Sequence, residues 1–297
     1  MGFHIVSPMT QTAIRTIRFG HSPDPDDAFM FYAFAKETIP MRGFRVQHVI
    51  EDIESLNQRA LKAAELEVTA VSCHAYAYLA DQYAVMRSGA SVGDKYGPIL
   101  VAPAGSALAR YTAWTPELLR GKRIAVPGKM TTAYLVLQLY QKDIQPVFIP
   151  FDQIFEAVSA GKADLGLVIH EGQITYQQHG FQKVLDLGNW WFERWGLPLP
   201  LGVDVIRKDL GAETMRSFAA LFKESIEHAL QHREPALEYA RQYGRGISPQ
   251  LNDQFVGMYV NDLTVDLDER GQAGLVKLLD EGYASGLLPK KISPEFV

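Results

Sequence analysis

"YGPILVAPAG" (96–105) is an extended apolar run bracketed by glycine and proline, and its reading decides the fold. A second run of the same kind, "LPLPLGVDVI", occupies 197–206. The hundred or so residues between them form their own set of strand and helix patterns. A chain that leaves one α/β unit, builds a second and returns crosses between them twice. The two runs therefore predict two lobes joined by a pair of hinge crossings. The expected division is an N-terminal extension over 1–15, a larger discontinuous lobe over 16–103 and 200–297, and a smaller lobe over 104–199.

Working outward, short apolar runs alternate with helical periodicity. "TIRFG" (16–20), "FRVQHVI" (44–50), "EVTAVS" (67–72) and "GPILVAP" (97–103) read as strands. So do "KRIAVPG" (122–128), "PVFIP" (146–150), "DLGLVIH" (164–170) and "FQKVLDLG" (181–188). Helical patterns fall between them: 26–36, with Asp26 as the expected cap, then 52–64, 73–81, 115–121, 131–141 and 151–161, with more from about 211 onward. Alternation of this kind predicts α/β layers built on mostly parallel strands.

Composition agrees with a folded two-domain chain. The 297 residues are 47% hydrophobic and 21% charged, which is ordinary for a globular protein of about two domains. The net charge of −5 comes from 29 basic and 34 acidic residues. No basic stripe marks a nucleic-acid footprint, and no polybasic or amphipathic segment marks a membrane anchor. The single cysteine, Cys73, excludes an internal disulfide and a cysteine-based zinc site. The first twenty residues lack the basic start and apolar core of a secretory signal. No run of about 18 apolar residues occurs. A cytoplasmic location and no membrane span are the expectation.

Ligands of open α/β sheets bind beyond the carboxyl ends of the strands. Ser22, Ser72, Thr131, Thr132 and His170 stand at such ends, and Asn57 lies in the helix that follows the second strand. "VPGKMTTAYLV" (126–136) is a strand, a glycine turn and a helix start. Gly128 allows close backbone approach or a positive φ. The free N–H groups and dipole of the helix make an anion site there, although the P-loop spacing is missing. "LGLVIHEGQITY" (165–176) ends an apolar strand in an imidazole, the side chain best suited to take and return a proton near neutral pH. In a continued strand Glu171 points away from His170 and does not orient it. "HSPDPDDAF" (21–29) clusters carboxylates in a turn stiffened by proline. Oxygen ligation of a hard cation is one use of such a cluster, and capping by Asp26 or Asp27 is the ordinary one. Cys73 and His74, adjacent on one helix, lack the geometry of a nucleophilic pair. The tryptophans of "NWWFERWGLPLPLG" (189–202) are expected to pack near the second crossing, where one of them can meet an apolar ligand.

Taken in order, "SPDPDDAFMFYA", "EDIESLN", "VPGKMTTAYL", "GLVIHEGQITY", "GLPLPLG" and "MYVND" resemble the 1,4-dihydroxy-6-naphthoate synthase family of the futalosine route to menaquinone, over about residues 16–297. The resemblance implies a fold similar to type II periplasmic binding proteins, with the ligand in the cleft. It implies a lyase that converts cyclic dehypoxanthine futalosine into 1,4-dihydroxy-6-naphthoate and releases dihydroxyacetone. It implies no cofactor and a small-molecule substrate; the residues themselves give no expectation of a metal, of nucleic acid or of a particular oligomeric state. His170 matches the family's "IHE" histidine, the proposed base. Thr131 and Thr132 match the "TTAY" threonines of the substrate site, and Asn57 and Ser72 match positions expected to touch ligand, with Ser22 lining the cleft beside them. The family commonly reads "SPCPND" where this chain has "SPDPDD", so Asp24 and Asp26 are departures that place extra carboxylates near a carboxylated substrate. His74 is a departure as well. Two other readings share the architecture: a carboxylate-binding solute protein of a transporter, and chorismate dehydratase. The "IHE" and "TTAY" pair argues against the second.

Overall fold

The computed structural model describes residues 14–297. Most of the expected extension over 1–15 lies outside them, and its last residue, Arg15, already opens the first strand. In chain order the strands are β1 Arg15–His21, β2 Phe44–Ile50, β3 Val68–Ser72, β4 Tyr83–Val85, β5 Ser91–Gly93, β6 Ile99–Pro103, β7 Arg123–Val126, β8 Gln145–Phe148, β9 Leu165–Val168, β10 Phe181–Asp186 and β11 Leu199–Arg207.

They form two sheets. The first runs β2-β1-β3-β11-β4, with β5 also on β11; the second runs β10-β6-β9-β7-β8. β1 pairs in parallel with β2 and β3, and β7 in parallel with β8 and β9. The returning strands β6, β10 and β11 pair antiparallel. This is the mixed α/β architecture of two lobes and two crossings. The first crossing comes earlier than the 103/104 boundary expected from the sequence, because Ile99–Pro103 is itself a strand of the second sheet. A fully apolar run carries no mark of which sheet it joins.

β11 is long because it does two jobs. Its first half pairs with β5, and its second half with β3 and β4. The first crossing is pressed against the start of the helix Leu187–Trp195, where Gly97 meets Gly188. A Cβ on Gly188 lands 2.0 Å from the Tyr96 carbonyl, and one on Gly97 lands 2.9 Å from Gly188 Cα. Backbone cannot swing aside as a side-chain tip does. Gly188→Ala is therefore expected to cost about 1–3 kcal/mol, read as a lower urea midpoint with an unchanged slope.

Local rules place the site-bearing ends. Asp52 caps the helix Ile53–Ala63 by accepting from the Glu54 and Ser55 N–H groups, both at 3.1 Å. The helix after β1, Pro25–Met30, has Asp24 at its N-cap position, with no side-chain cap bond. The expected cap, Asp26, sits inside the first turn instead. Pro25 takes the first helical position, where its missing N–H costs nothing. The tryptophans pack around the second crossing: Trp191 is fully buried and donates to the Pro198 carbonyl at 3.2 Å. None of them lines the cleft. Among the described residues no helix is long and apolar enough to cross a membrane.

Candidate active site

The carboxyl ends of β1, β3 and β9 and the turn after β7 converge on a cavity of ≈ 100 Å³. Ser22, Ser72, Thr131, Thr132 and His170 line it, together with Asp24, Asp26, Asp27 and Asp204. Of the expected contact residues only Asn57 is absent from the wall.

His170 is the focus. β9 stops at Val168, and His170 adopts a left-handed backbone with φ of 54°. Non-glycine residues are uncommon there, histidine being among the more tolerant with asparagine and aspartate, and the conformation costs about 1–2 kcal/mol. Strain of this kind gathers at functional sites. The turn also breaks strand alternation, so Glu171 does not point away as a continued strand would require. It starts the helix Gly172–Thr175 and meets Arg245 instead.

The group that orients the imidazole is Asp24, from the first sheet. Its Oδ2 lies 3.0 Å from His170 Nδ1, an ion-pair distance, and accepts from the Ser22 hydroxyl at 2.6 Å. With Nδ1 engaged, Nε2 is the nitrogen left for the cavity. Arg245 closes the cluster. Nη1 donates to Glu171 Oε1 at 2.7 Å and Nη2 to the Pro23 carbonyl at 3.3 Å. Nη2 also lies 2.7 Å from Asp24 Oδ1, an ion pair off the line of a good hydrogen bond. Phe151 backs both cations, its ring 4.9 Å from the imidazole and 4.8 Å from the guanidinium.

Charge follows from this arrangement. Burial works against an imidazolium at His170, but the charge and hydrogen bond of Asp24, with Glu171 and Asp26, outweigh it and push the group up to about 9. Burial likewise opposes the Asp24 anion. His170, Arg245 and Ser22 reverse that and hold its carboxyl well below the usual range. The repulsion expected from Asp24 toward a substrate carboxylate is thus cancelled inside the protein. Asp26 meets the same concern differently: burial beside Asp27 and Asp24 raises it well above the ordinary value.

The turn after β7 is held across the cleft. Glu54 accepts from the Met130 N–H at 3.2 Å. Gly128 permits this by close approach rather than by a positive φ, since a Cβ there falls 2.5 Å from Glu54 Oε2. Thr131 caps the helix Thr132–Tyr140, accepting from the Tyr134 N–H and donating to the Gly128 carbonyl at 2.9 Å. Thr132 donates to the Leu201 carbonyl. Both hydroxyl protons are spent on backbone. What the pair offers an anion is the helix N-terminus, whose first N–H groups have no partner within the helix.

Ser72 is different. It stands at the N-cap position of the helix Cys73–Leu79 but makes no cap bond. Asn57 grips it at both ends: Oδ1 accepts from the Ser72 N–H at 2.8 Å, and Nδ2 donates to Ser72 Oγ at 3.0 Å. The Ser72 proton is left for the cavity. Asn57, at 0% exposure, touches Ser72 and is absent from the cavity wall. Asn57→Ala strands a buried serine acceptor and amide, so it is expected to cost about 1–3 kcal/mol and to raise KM more than it lowers kcat. Thermal melts and steady-state kinetics read the two effects.

The remaining candidates fall outside the cavity. His74 is buried with Nδ1 3.4 Å from the Thr131 carbonyl, and burial pulls it down to about 4. Burial pushes the Cys73 thiol up to about 12, far from a nucleophile. Among the described residues no group of three or more His, Cys, Asp or Glu side chains is placed to hold a metal. Sequence reasoning missed Asp24 as a partner, Arg245, Asp204, and the Gln173–Tyr259 bridge, in which Gln173 donates to the tyrosine oxygen at 2.6 Å.

Comparison with known proteins follows the same line. A family model described as menaquinone biosynthesis matches residues 17–284. A 1,4-dihydroxy-6-naphthoate synthase of Thermus thermophilus is 38% identical over 96% of this chain and all of its own. One of Streptomyces coelicolor is 35% identical over 92% of this chain and 95% of its own. A crystal structure of a protein from Archaeoglobus fulgidus superposes with a TM-score of 0.84 at 47% identity, covering 92% of this chain and 98% of that one. The alkanesulfonate-binding protein of Xanthomonas axonopodis superposes at 0.68 with 13% identity, over 94% of this chain and 96% of that one. That likeness speaks to the periplasmic-binding-protein fold alone.

Proposed function

We infer the function from one premise: this chain belongs to the 1,4-dihydroxy-6-naphthoate synthase family of menaquinone biosynthesis. It acts as a carbon–carbon lyase on cyclic dehypoxanthine futalosine and forms 1,4-dihydroxy-6-naphthoate with release of dihydroxyacetone. The observation that carries this reading is the Asp24–His170 pair, 3.0 Å apart at the wall of a cavity that also holds the Thr131–Thr132 helix start.

In this mechanism the substrate carboxylate docks on the N-terminal N–H groups of the helix Thr132–Tyr140, with Ser72 donating beside them. Nε2 of His170, in its neutral form, removes a proton from the substrate. The electron pair released by carbon–carbon cleavage enters the ring, which becomes aromatic and draws the step forward. Asp24 holds Nδ1–H, fixes the tautomer and stabilises the imidazolium that forms. The cleft supplies orientation and excludes water, contributions that can exceed that of the base. A smaller and a larger lobe, divided near the two crossings, form the frame that closes on the substrate.

A solute-binding protein has no use for a strained imidazole backed by a buried carboxylate. The deciding experiment is incubation with cyclic dehypoxanthine futalosine and chromatographic detection of the naphthoate. Binding without product, or dehydration of chorismate in its place, overturns the reading.

A further inference from the structure

Two carboxyl groups in the cavity wall have no role in the pairings described above. Asp26, 7% exposed, and Asp204, 2% exposed, each present an Oδ1 atom that is sealed from solvent and meets no hydrogen-bond partner. Both line the cavity. Among the described residues neither is ion-paired: Arg245, the nearby cation, is committed to Asp24 and Glu171. Room has been made for Asp204. Gly89 faces it, and a Cβ there lies 2.0 Å from Asp204 Oδ2.

We propose that Asp26 and Asp204 form a subsite for the hydroxyl-bearing, sugar-derived part of the substrate, through cavity-lining carboxyl groups that no protein cation neutralises. The proposal rests on the lyase reading and adds which side chains recognise the portion of substrate that leaves. An ionised carboxylate buried without a counter-ion is too costly to persist, so such groups take up a proton. A neutral carboxylic acid then offers one donor and one acceptor, the complement of an alcohol or carbonyl. The electrostatics agree. Burial, then the neighbouring Asp27 and Asp24, raise Asp26, against a smaller pull from His170; burial, then Asp27 and Asp26, raise Asp204. An apolar ligand leaves these carboxyl groups unsatisfied. Hydroxyls satisfy them. The same contacts discriminate against ring acids lacking the polyol, since a site built to hydrogen-bond a hydroxyl rejects the analogue without it.

The test compares leucine and asparagine variants at each position, using two ligands. For Asp26→Leu and Asp204→Leu, KM for cyclic dehypoxanthine futalosine is expected to rise roughly tenfold to a hundredfold. Affinity for 1,4-dihydroxy-6-naphthoate, which lacks the sugar part, stays within about threefold. Asp26→Asn and Asp204→Asn, which keep a donor and an acceptor, recover most of the leucine loss. Equal losses for both ligands, or no recovery by asparagine, overturn the proposal. Where a leucine variant fails to fold, crystals of His170→Asn soaked with the substrate give the answer directly. Substrate hydroxyl oxygens at hydrogen-bond distance from the Asp26 and Asp204 carboxyl groups support it. The carboxylate or the ring against those groups, or no bound substrate, sinks it. Wild-type turnover of the same substrate reports separately on the lyase reading.

Discussion

Replacing His170 with asparagine lowers kcat by roughly 10²–10⁴-fold, the range supplied by a positioned general base, while the fold and much of the substrate affinity survive. Asparagine is the informative choice for three structural reasons. It tolerates the left-handed backbone that His170 adopts at φ 54°. Its amide N–H keeps a donor toward Asp24, so no buried carboxylate is stranded. It removes only the nitrogen assigned to the proton transfer. His170→Ala is the poorer experiment, because breaking a buried ion pair by deleting one partner costs several kcal/mol by itself. The measurement is single-turnover kinetics beside isothermal binding. Near wild-type turnover in His170→Asn takes the imidazole out of the mechanism.

The pH profile gives the second large effect. With His170 pushed up to about 9, only about one part in a hundred is neutral at pH 7, so kcat/KM is expected to climb nearly tenfold per pH unit and to level off near pH 9. A profile that falls over this range reassigns His170 as an acid. Asp24→Asn removes the charge that raises the imidazole. Burial, the opposing influence, then faces only the smaller pull of Glu171 and Asp26, and the limb moves down from about 9. The plateau drops as well, because a weaker base with a loosened tautomer replaces a strong one. The variant is therefore faster relative to wild type at low pH and slower at high pH, a crossing that simple misfolding does not produce. Stability follows the same groups. His170 is raised on folding, so its contribution is full below 6.5 and lost as pH rises through about 9. Asp24 is depressed on folding, so its contribution is present above 3.8 and lost as pH falls through its lower folded value. The pair stabilises most between those limits, and Asp24→Asn flattens that maximum.

Much of the architecture is visible in the chain because it is local. β2, "FRVQHVI", occupies the stretch where its residue types place it, and helix starts such as Asp52 and Thr131 are announced by their capping chemistry. The apolar run 97–103 is ambiguous for a physical reason: pairing partners, not residue types, decide which sheet a buried strand joins. β4 and β5, of three residues each, are too short to show a period. At the site, His170 and the threonine pair stand out because motif and strand-end position coincide. Asp24 reads only as a residue of a proline-stiffened turn, since its partner is 146 positions away and reaches it through a left-handed turn that strand periodicity does not anticipate. Arg245 leaves no local signal at all. Asn57 is legible as a residue of the helix after the second strand, but a helix pattern shows a buried face without showing that the amide grips Ser72.

Asp24 follows a strand of one sheet and His170 a strand of the other. Any motion that parts the two sheets also returns the imidazole toward its ordinary 6.5 from about 9. Between those values, opening the molecule expels a hydrogen ion and shutting it takes one back. If ligand binding draws the two sheets together, the heat of binding is expected to depend on the ionisation enthalpy of the buffer, and the slope counts the hydrogen ions taken up.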